Sequence, residues 1–279
     1  MNEILLALVV YKCRFEDAVS FKSICQFNTK HELKTTWLIF DNSSLLTIDK
    51  TIQFDAFNVV NLVSSGVNEG LSVHYNTAFK VAESKEIPYV LLLDQDTEFI
   101  AGTAPYIDAI PTISPLIVVP KVKANGMLLS PSKIIFERGF FTNDLTEGVY
   151  SLDKYSPINS GSLIHTQVWK AAEGFNENIL LDFTDFSFYN RVKQKGIKEF
   201  KLIDYVLNQN LSTFEKDETK IIDRFGLYMS DLETYQKEKK IKGRILLKFW
   251  GTVHFLKVLL RTNFNLKVVN LYFSNGRYF

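Results

Sequence analysis

The chain is poor in the features that mark several large classes of protein. It has two cysteines, Cys13 and Cys25, in 279 residues. Two thiols cannot build the disulfide framework of a small secreted domain, and they suit a reducing cytoplasm. No C-x-x-C pair and no cysteine-histidine cluster is present, so a structural zinc ion would find no ligands. Charge of one sign is also missing. Thirty-two Lys and Arg stand against 31 Asp and Glu, a net charge of +1, so the molecule as a whole has no bias toward nucleic acid. No stretch reaches the roughly 18 uncharged apolar residues that a membrane-spanning helix needs. The opening "MNEILLALVVYK" lacks a basic n-region and a small-residue cleavage site, and Glu3 is the only charge ahead of its apolar run. It reads as a first buried strand rather than a secretory signal. A G-x-S-x-G elbow, a Walker A loop and a G-x-G-x-x-G turn are all absent. Serine-hydrolase, P-loop and dinucleotide-binding readings lose their support with them.

What is present is a chain with 46% hydrophobic and 14% aromatic residues, enough for one large domain or a domain with a small appendage. Strand-like and helix-like stretches alternate through the first half. "ILLALVVY" precedes "FEDAVSFKSICQF", in which Phe15, Val19, Ser23 and Phe27 mark a helical face. "TTWLIFDNSS" and "AFNVVNLVSS" read as two further strands. "NEGLSVHYNTAFKVAES" reads as a helix capped by Asn68, with Leu71, Tyr75, Ala78 and Phe79 inward. "IPYVLLLDQD" is a fourth strand. This alternation predicts an α/β protein with a mostly parallel central sheet and helices on both faces. Right-handed crossovers then bring the carboxyl ends of the strands to one edge, where open α/β sheets bind ligands. The second half is less regular. "SPLIVVPKV" and "KEFKLIDYVLNQ" read as strands. "TDFSFYNRVKQKG" reads as an amphipathic helix with Phe186, Tyr189, Val192 and Lys193 near one face and Gly196 as its stop. Residues 125–156 carry turn signals without an assignable pattern, and no internal repeat is found.

The tail from Lys237 to Phe279 differs in composition. Ten Lys and Arg, Arg277 among them, against Glu238 give it +9, which leaves the remainder near −8. In a helical projection Arg244, Lys248, Gly251, His254, Lys257 and Arg261 form a polar stripe, and aromatic and aliphatic residues fill the rest. Such a helix fits an anionic membrane surface. A helix packed on the domain or on a second subunit of a homodimer, with its lysines in water, fits the same pattern.

Three groups of residues carry chemistry. Asp41 in "LIFDNSS" and Asp94 with Asp96 in "LLLDQDTEF" end two strands on the same edge. A lone strand-end Asp is often a turn former. An acid pair spaced by one residue can instead hold a hard divalent cation together with phosphate oxygens. Asp182 and Asp185 follow in "LLDFTDF". Asp185 opens the amphipathic helix behind Thr184 as a cap, and it suits either a helix N-terminus or a general base. Asn159, Ser160, Gly161 and Ser162 form a small polar turn, either an ordinary turn before a helix at Thr166 or a place for close ligand approach.

In order along the chain, "LVVYK", "FDNSS", "NEGLSVHYNTAFKVA", "YVLLLDQDTEF", "NSGSLI" and "GFNENILLDFTDFSFYNRVKQKG" resemble the inverting glycosyltransferases of glycosyltransferase family 2, most closely the bacterial rhamnosyltransferase branch. The resemblance spans residues 7 to 200, roughly, and rests on the ordered set, since each motif alone is weak. It implies a GT-A fold within residues 1–236, with a nucleotide-binding half over residues 1–98, an acceptor half over 99–236 and the basic amphipathic tail over 237–279. It implies a nucleotide-sugar donor, dTDP-rhamnose first, with a UDP-hexose or a galactofuranose nucleotide as alternatives. The acceptor it implies is a saccharide or a lipid-linked saccharide of the cell envelope. The enzyme would be cytoplasmic, at the inner face of the membrane. By the same resemblance Tyr11, Asp41, Asn68, Gly70, Asn76 and Asp94 match the nucleotide site. Asp96 matches the ligand of Mg2+ or Mn2+, Asp185 the catalytic base, and Ser160, Gly161 and Asp182 the acceptor pocket. Two departures stand out. Gln209 occupies the place where relatives carry a metal-binding histidine, which puts metal dependence in question. His74 and Tyr75 stand where small residues are common, which points to a narrower pocket or a different donor. A membrane-surface scaffold without turnover competes with the enzyme, motivated by Gln209. A sugar nucleotidyltransferase would need a Gly-rich, Arg-containing first loop, and "VVYKCRFED" lacks one.

Overall fold

The computed structural model describes residues 4–110, 116–142, 145–209 and 217–274. Glu3, Arg277 and the "NLS" that follows Gln209 therefore lie outside the described residues. The chain runs β1 (Ile4–Val10), a 3-10 turn (Phe15–Asp17), α1 (Val19–Lys30), β2 (Thr35–Asp41), β3 (Thr47–Gln53), β4 (Asn58–Ser65), α2 (Leu71–Ser84), β5 (Tyr89–Asp94), β6 (Thr97–Glu98) and α3 (Ala104–Ala109). It continues with β7 (Ile117–Ala124), β8 (Met127–Ile135), β9 (Arg138–Thr142), β10 (Gly148–Ser151), β11 (Tyr155–Ser156), β12 (Leu163–His165), α4 (Thr166–Ala171), α5 (Thr184–Gln194), β13 (Glu199–Gln209), α6 (Glu218–Lys237), α7 (Ile241–Arg261) and α8 (Leu266–Phe273).

The main sheet has the strand order β10-β13-β7-β12-β5-β1-β2-β4-β3. β4, β2, β1 and β5 are parallel; β12 is antiparallel to both β5 and β7, and β13 is parallel to β7. Six strands thus run one way around a single reversed strand, with β3 and β10 as antiparallel edges. Two apolar layers cover the sheet, and β1 feeds both. Leu6 and Leu8 point to the layer under α1 and α3, with Phe21, Ile24 and Tyr106. Leu5, Ala7 and Val9 point to the layer under α2, α4 and α5, with Tyr75, Phe79, Val168 and Phe188. The period-2 alternation of a strand buried on both faces explains why the sequence reads there as one continuous apolar run.

Some local expectations are corrected. The face Phe15, Val19, Ser23, Phe27 does not form, because Phe15 sits on a separate turn and Val19 is exposed; Phe21, Ile24, Cys25 and Asn28 are the buried side of α1. Asn68 does not cap α2. The cap is Gly70, and the Asn68 side chain instead accepts a bond from the Gly70 amide at 3.1 Å. Thr184 is the first residue of α5, and Phe183, left-handed at φ 65°, precedes it. The helix at Thr166, the stop at Gly196 with φ 89° and the inward Tyr75, Ala78 and Phe79 are as expected.

A third apolar cluster joins α6, α7 and α8 around Phe225, Met229, Leu232, Leu247, Val258 and Leu271. Gly251 faces the crossing: a Cβ there would meet Leu232 Cδ2 at 2.6 Å. The tail helix therefore packs on its own chain, and the polar stripe read along it is split. Gly251 is buried, whereas Arg244 and Lys248 stay exposed. The β8–β9 hairpin clamps α7 from the other side. Its tip, Phe136 and Glu137, has φ 52° and 63°, and the Phe136 carbonyl accepts the Trp250 indole N–H at 2.9 Å. Glu137 pairs with Lys239 at 2.9 Å. Among the described residues no helix is long and apolar enough to cross a membrane.

Candidate active site

The parallel strands end where the sequence predicts. β1 and β2 align Val10 with Asp41, and β1 and β5 align Val9 with Asp94, so both strand-end acids share one edge. Asp41 closes a turn, its Oδ1 accepting from the amides of Ser43 and Ser44 at 3.1 and 3.0 Å and from the Ser43 hydroxyl at 2.9 Å. Gln95, between the two acids, fastens this edge. Its side-chain oxygen accepts the Tyr11 amide at 2.8 Å, and its carbonyl accepts the Val19 amide at 2.7 Å. The loop after β1, with Tyr11 exposed at its tip, is thereby tied to the D-x-D turn.

Asp94 and Asp96 meet Gln209. β13 pairs with β6 so that Gln209 faces Thr97. The Gln209 amide nitrogen lies 3.4 Å from Asp94 Oδ2 and 3.5 Å from Asp96 Oδ1, long contacts of little strength. Its carbonyl oxygen is buried without a hydrogen-bond partner among the described residues. Burial pushes the Asp94 carboxyl up to about 7; the neighbouring Asp96 and Asp185 charges add to this, while the Ser160 and Tyr75 hydroxyls oppose it. Burial also raises Asp96. Two crowded carboxylates and an orphaned amide oxygen are an oxygen-donor set, and they fit a hard divalent cation. No trio of His, Cys, Asp and Glu forms a metal cluster among the described residues, so the amide would have to serve as the third ligand.

Asp185 stands at the start of α5, its Oδ1 accepting the Phe186 amide at 2.8 Å. Burial raises it to about 6, with helix-terminal amides opposing. Asp182 is likewise raised to about 6 by burial, against the Arg224 guanidinium 2.8 Å away. Both line a cavity of about 560 Å3 together with Tyr75, Asp94, Asn159, Ser160 and Gln209. Ser160 shares a hydroxyl contact with Thr97 at 3.0 Å, and the Asn159 amide donates to Thr184 at 3.1 Å while its own oxygen is unpartnered.

Three predicted site residues have positions that serve packing. Gly161, φ 76°, is boxed in by Leu207 and Pro120, which a Cβ would meet at 2.7 and 2.8 Å. Asn76 is buried, with its amide donating to the Phe175 carbonyl and Glu177 at 3.0 and 2.8 Å and its oxygen accepting from Trp169 and the Phe175 amide at 2.9 and 2.7 Å. Gly70 lets α2 approach the loop before Asp182, where a Cβ would meet Leu180 backbone at 2.9 Å. Asn68 contacts Asn42 at 2.8 Å, and Asn42 in turn holds His74 at 2.8 Å.

Two contributors are not legible as motifs. Asp231, buried in α6, accepts the amides of Leu180, Leu181 and Asp182 at 3.0, 2.9 and 2.8 Å, and so fixes the loop that presents Asp182 and leads into Asp185. Trp250, Val253, His254 and Lys257 of α7 complete the cavity wall. Lone charges and aromatics on amphipathic helices give no signal of such roles.

No protein-family profile matches the chain, and no curated protein matches its sequence. Solved structures do match. S. aureus TarS 1–349 in complex with UDP-GlcNAc aligns with TM-score 0.50 at 15% identity, over 82% of this chain and 66% of that one. GalNAc-T7 with UDP, GalNAc and Mn2+ aligns with TM-score 0.50 at 8% identity, over 80% of this chain and 47% of that one. The chain has a GT-A fold. It spans 65% of the length of TarS 1–349 in its UDP complex, so the likeness is to part of a longer protein. At these identities it is the fold that is shared. In this GT-A frame Asp94, Gln209 and the start of α5 line one cavity at the carboxyl edge of the sheet.

Proposed function

We propose that this protein is an inverting glycosyltransferase that moves a hexosyl group from a nucleotide sugar, dTDP-rhamnose as the first donor to test, onto a hydroxyl of a saccharide or lipid-linked saccharide of the cell envelope. One observation carries the reading. Four separate stretches of the chain deliver Asp94, Asn159 and Ser160, Asp182 and Asp185, and Gln209 to a single cavity at the carboxyl ends of parallel strands.

The roles follow from the chemistry of each group. Asp185 is held by a helix-terminal amide in a partly dry wall, so its raised pKa suits a base that takes the acceptor proton near neutral pH. Asp41, Tyr11 and Asp94 flank the nucleotide, with Asn68 and Gly70 shaping its border and Asn76 bracing α2. Ser160 and Asp182 orient the acceptor, and Gly161 sets the turn that presents Ser160. Asp96, with Gln209 and the edge of Asp94, would hold Mg2+ or Mn2+. A bound divalent ion would supply neutralising charge for the departing diphosphate. Attack opposite the diphosphate inverts the anomeric carbon in one displacement, with no covalent enzyme intermediate.

A UDP-sugar donor is the second reading, supported by the UDP and UDP-GlcNAc held by TarS. We place the protein in the cytoplasm, peripherally at the inner face of the membrane, with α7 toward the lipid. Incubating the full chain with dTDP-rhamnose, UDP-hexoses and a cell-envelope saccharide pool decides among these. The reading predicts consumption of dTDP-rhamnose and a glycosylated product of inverted configuration. Consumption of a UDP-sugar alone replaces the donor, and no consumption of any donor rejects the enzyme.

A further inference from the structure

The cavity wall carries two chemically different sets of side chains. One set is Asp94, Asp182 and Asp185. The other is Arg138 of β9 with Trp250, His254 and Lys257 of α7. Arg138 and Lys257 are exposed at the rim. Neither pairs with a carboxylate among the described residues, and Glu137, the residue before Arg138, is taken by Lys239 at 2.9 Å. Arg138 is not loose. Its guanidinium lies over the Trp250 ring at 4.6 Å and near the Phe140 ring at 5.7 Å. Trp250 is itself held by its bond to the Phe136 carbonyl. A stacked guanidinium keeps its fork of N–H donors in one plane, the geometry that phosphate oxygens accept. Burial pushes the His254 imidazole down to about 4, with Lys257, Arg138, Arg224 and Arg261 all acting on it in the same direction. The ring is thus neutral beside a cationic rim.

We propose that Arg138 and Lys257, set against Trp250, form a subsite for a phosphate or diphosphate group carried by the acceptor. This inference rests on the reading of the cavity as a transfer site, and it narrows the acceptor to an anionic one. The acids take a hydroxyl, and Arg138 and Lys257 hold a charged linkage elsewhere on the same molecule. The source of the phosphate is read from the neighbouring face of α7. Ile241, Ile245, Phe249, Leu256 and Leu260 are 51–76% exposed. Leu256 and Leu260 each stand three residues from the cavity-lining Val253 and Lys257, hence beside them on the helix surface. An apolar stripe at the mouth of a phosphate site, on a tail of net charge +9, suits a saccharide joined through diphosphate to a membrane lipid.

The test uses the full-length protein in EDTA, so that phosphate cannot bind through a cation. Inorganic pyrophosphate, octyl diphosphate and the uncharged octyl glucoside are titrated below their micelle concentrations, with tryptophan fluorescence as the readout. The proposal expects both diphosphates to bind at least tenfold tighter than the glucoside, with no competition from dTDP or UDP. Arg138→Gln and Lys257→Gln should each weaken them about tenfold, and Arg138→Lys should restore only part. Octyl diphosphate binding more tightly than pyrophosphate assigns the phosphate to a lipid; equal binding assigns it to a soluble phosphosaccharide, and the subsite stands in both cases. Equal affinity for the glucoside, displacement by dTDP or UDP, or unchanged binding in both variants overturns it. Donor binding, followed separately by thermal shift, shows whether a failure belongs to this subsite or to the transferase reading itself.

Discussion

The carboxyl edge of the sheet and the helical wall border one cavity, yet they are held by different physics. At the edge, polar side chains are fixed by short local bonds to backbone. Asp41 caps its own turn and Gln95 ties two loops. The strands beneath are buried on both faces, so the acids have a rigid base. On the opposite side, α6, α7 and α8 are held by apolar packing, by the Gly251–Leu232 approach and by the hairpin clamp at Trp250. Asp231 of α6 joins the wall to the loop that carries Asp182, accepting its amide at 2.8 Å. The edge is held by polar bonds that place charge, and the wall by apolar packing.

Several substitutions break this comparison at different points. Asp185→Asn removes the proposed base and keeps the shape. It should lower turnover by about 10²–10⁴ while donor binding persists, as read by steady-state rates alongside a thermal shift with donor. Asp231→Ala leaves three amides without their acceptor in a buried place. It should cost about 2–3 kcal/mol in denaturant unfolding and lower kcat without touching any ligand; a loss confined to stability would separate the two regions. Gly251→Val overfills the α6–α7 crossing and should cost about 1–3 kcal/mol, with the cavity wall displaced and the donor-induced shift kept.

The pH dependence follows from Asp182 and Asp185, whose carboxyls rise from 3.8 to about 6 on folding. A raised pKa means the folded state holds protons that the unfolded chain has released. The stabilisation is complete below pH 3.8, the unfolded value, and is lost as pH rises through about 6. In EDTA these two acids should therefore make the protein less stable at pH 7 than at pH 5, as chemical denaturation at the two values would read. Turnover should run the other way, falling below about pH 6 as Asp185 takes up its proton. The smallest effect is at the outer face of α7. Replacing Phe249 and Leu256 with serine should reduce flotation with anionic liposomes several-fold and leave turnover on a soluble acceptor unchanged.

The sequence made the carboxyl edge of the sheet legible because its strands are apolar runs, two of which stop abruptly at acids. β1, β2, β4, β5, β7 and β13 were readable from their apolar residues, and β2 and β5 also from the acids that end them. β3 was not, because TIDKTIQ is an edge strand with a largely exposed side. The hairpins between 125 and 156 were not, because their half-exposed strands are short and bulged. Asp94, Asp96 and Gln209 lie together at the strand ends, and Asn76 and Gly161 sit in tight packing. The wall was hidden for a different reason. An amphipathic helix announces a polar and an apolar side, but α7 has three: one against α6, one on the cavity and one outward. Only the partner helix decides that Gly251 and His254, read as part of a polar stripe, face inward.

The most direct test of the central claim is the melting temperature of the full-length protein against a panel of nucleotide sugars, with and without Mn2+. Saturation at 100 times Kd stabilises a folded protein by about 2.7 kcal/mol, a shift of several degrees. The account predicts such a rise with dTDP-rhamnose or a UDP-sugar, larger with Mn2+ and diminished in Asp96→Asn. A melting temperature unmoved by every nucleotide sugar, with and without the cation, would contradict it.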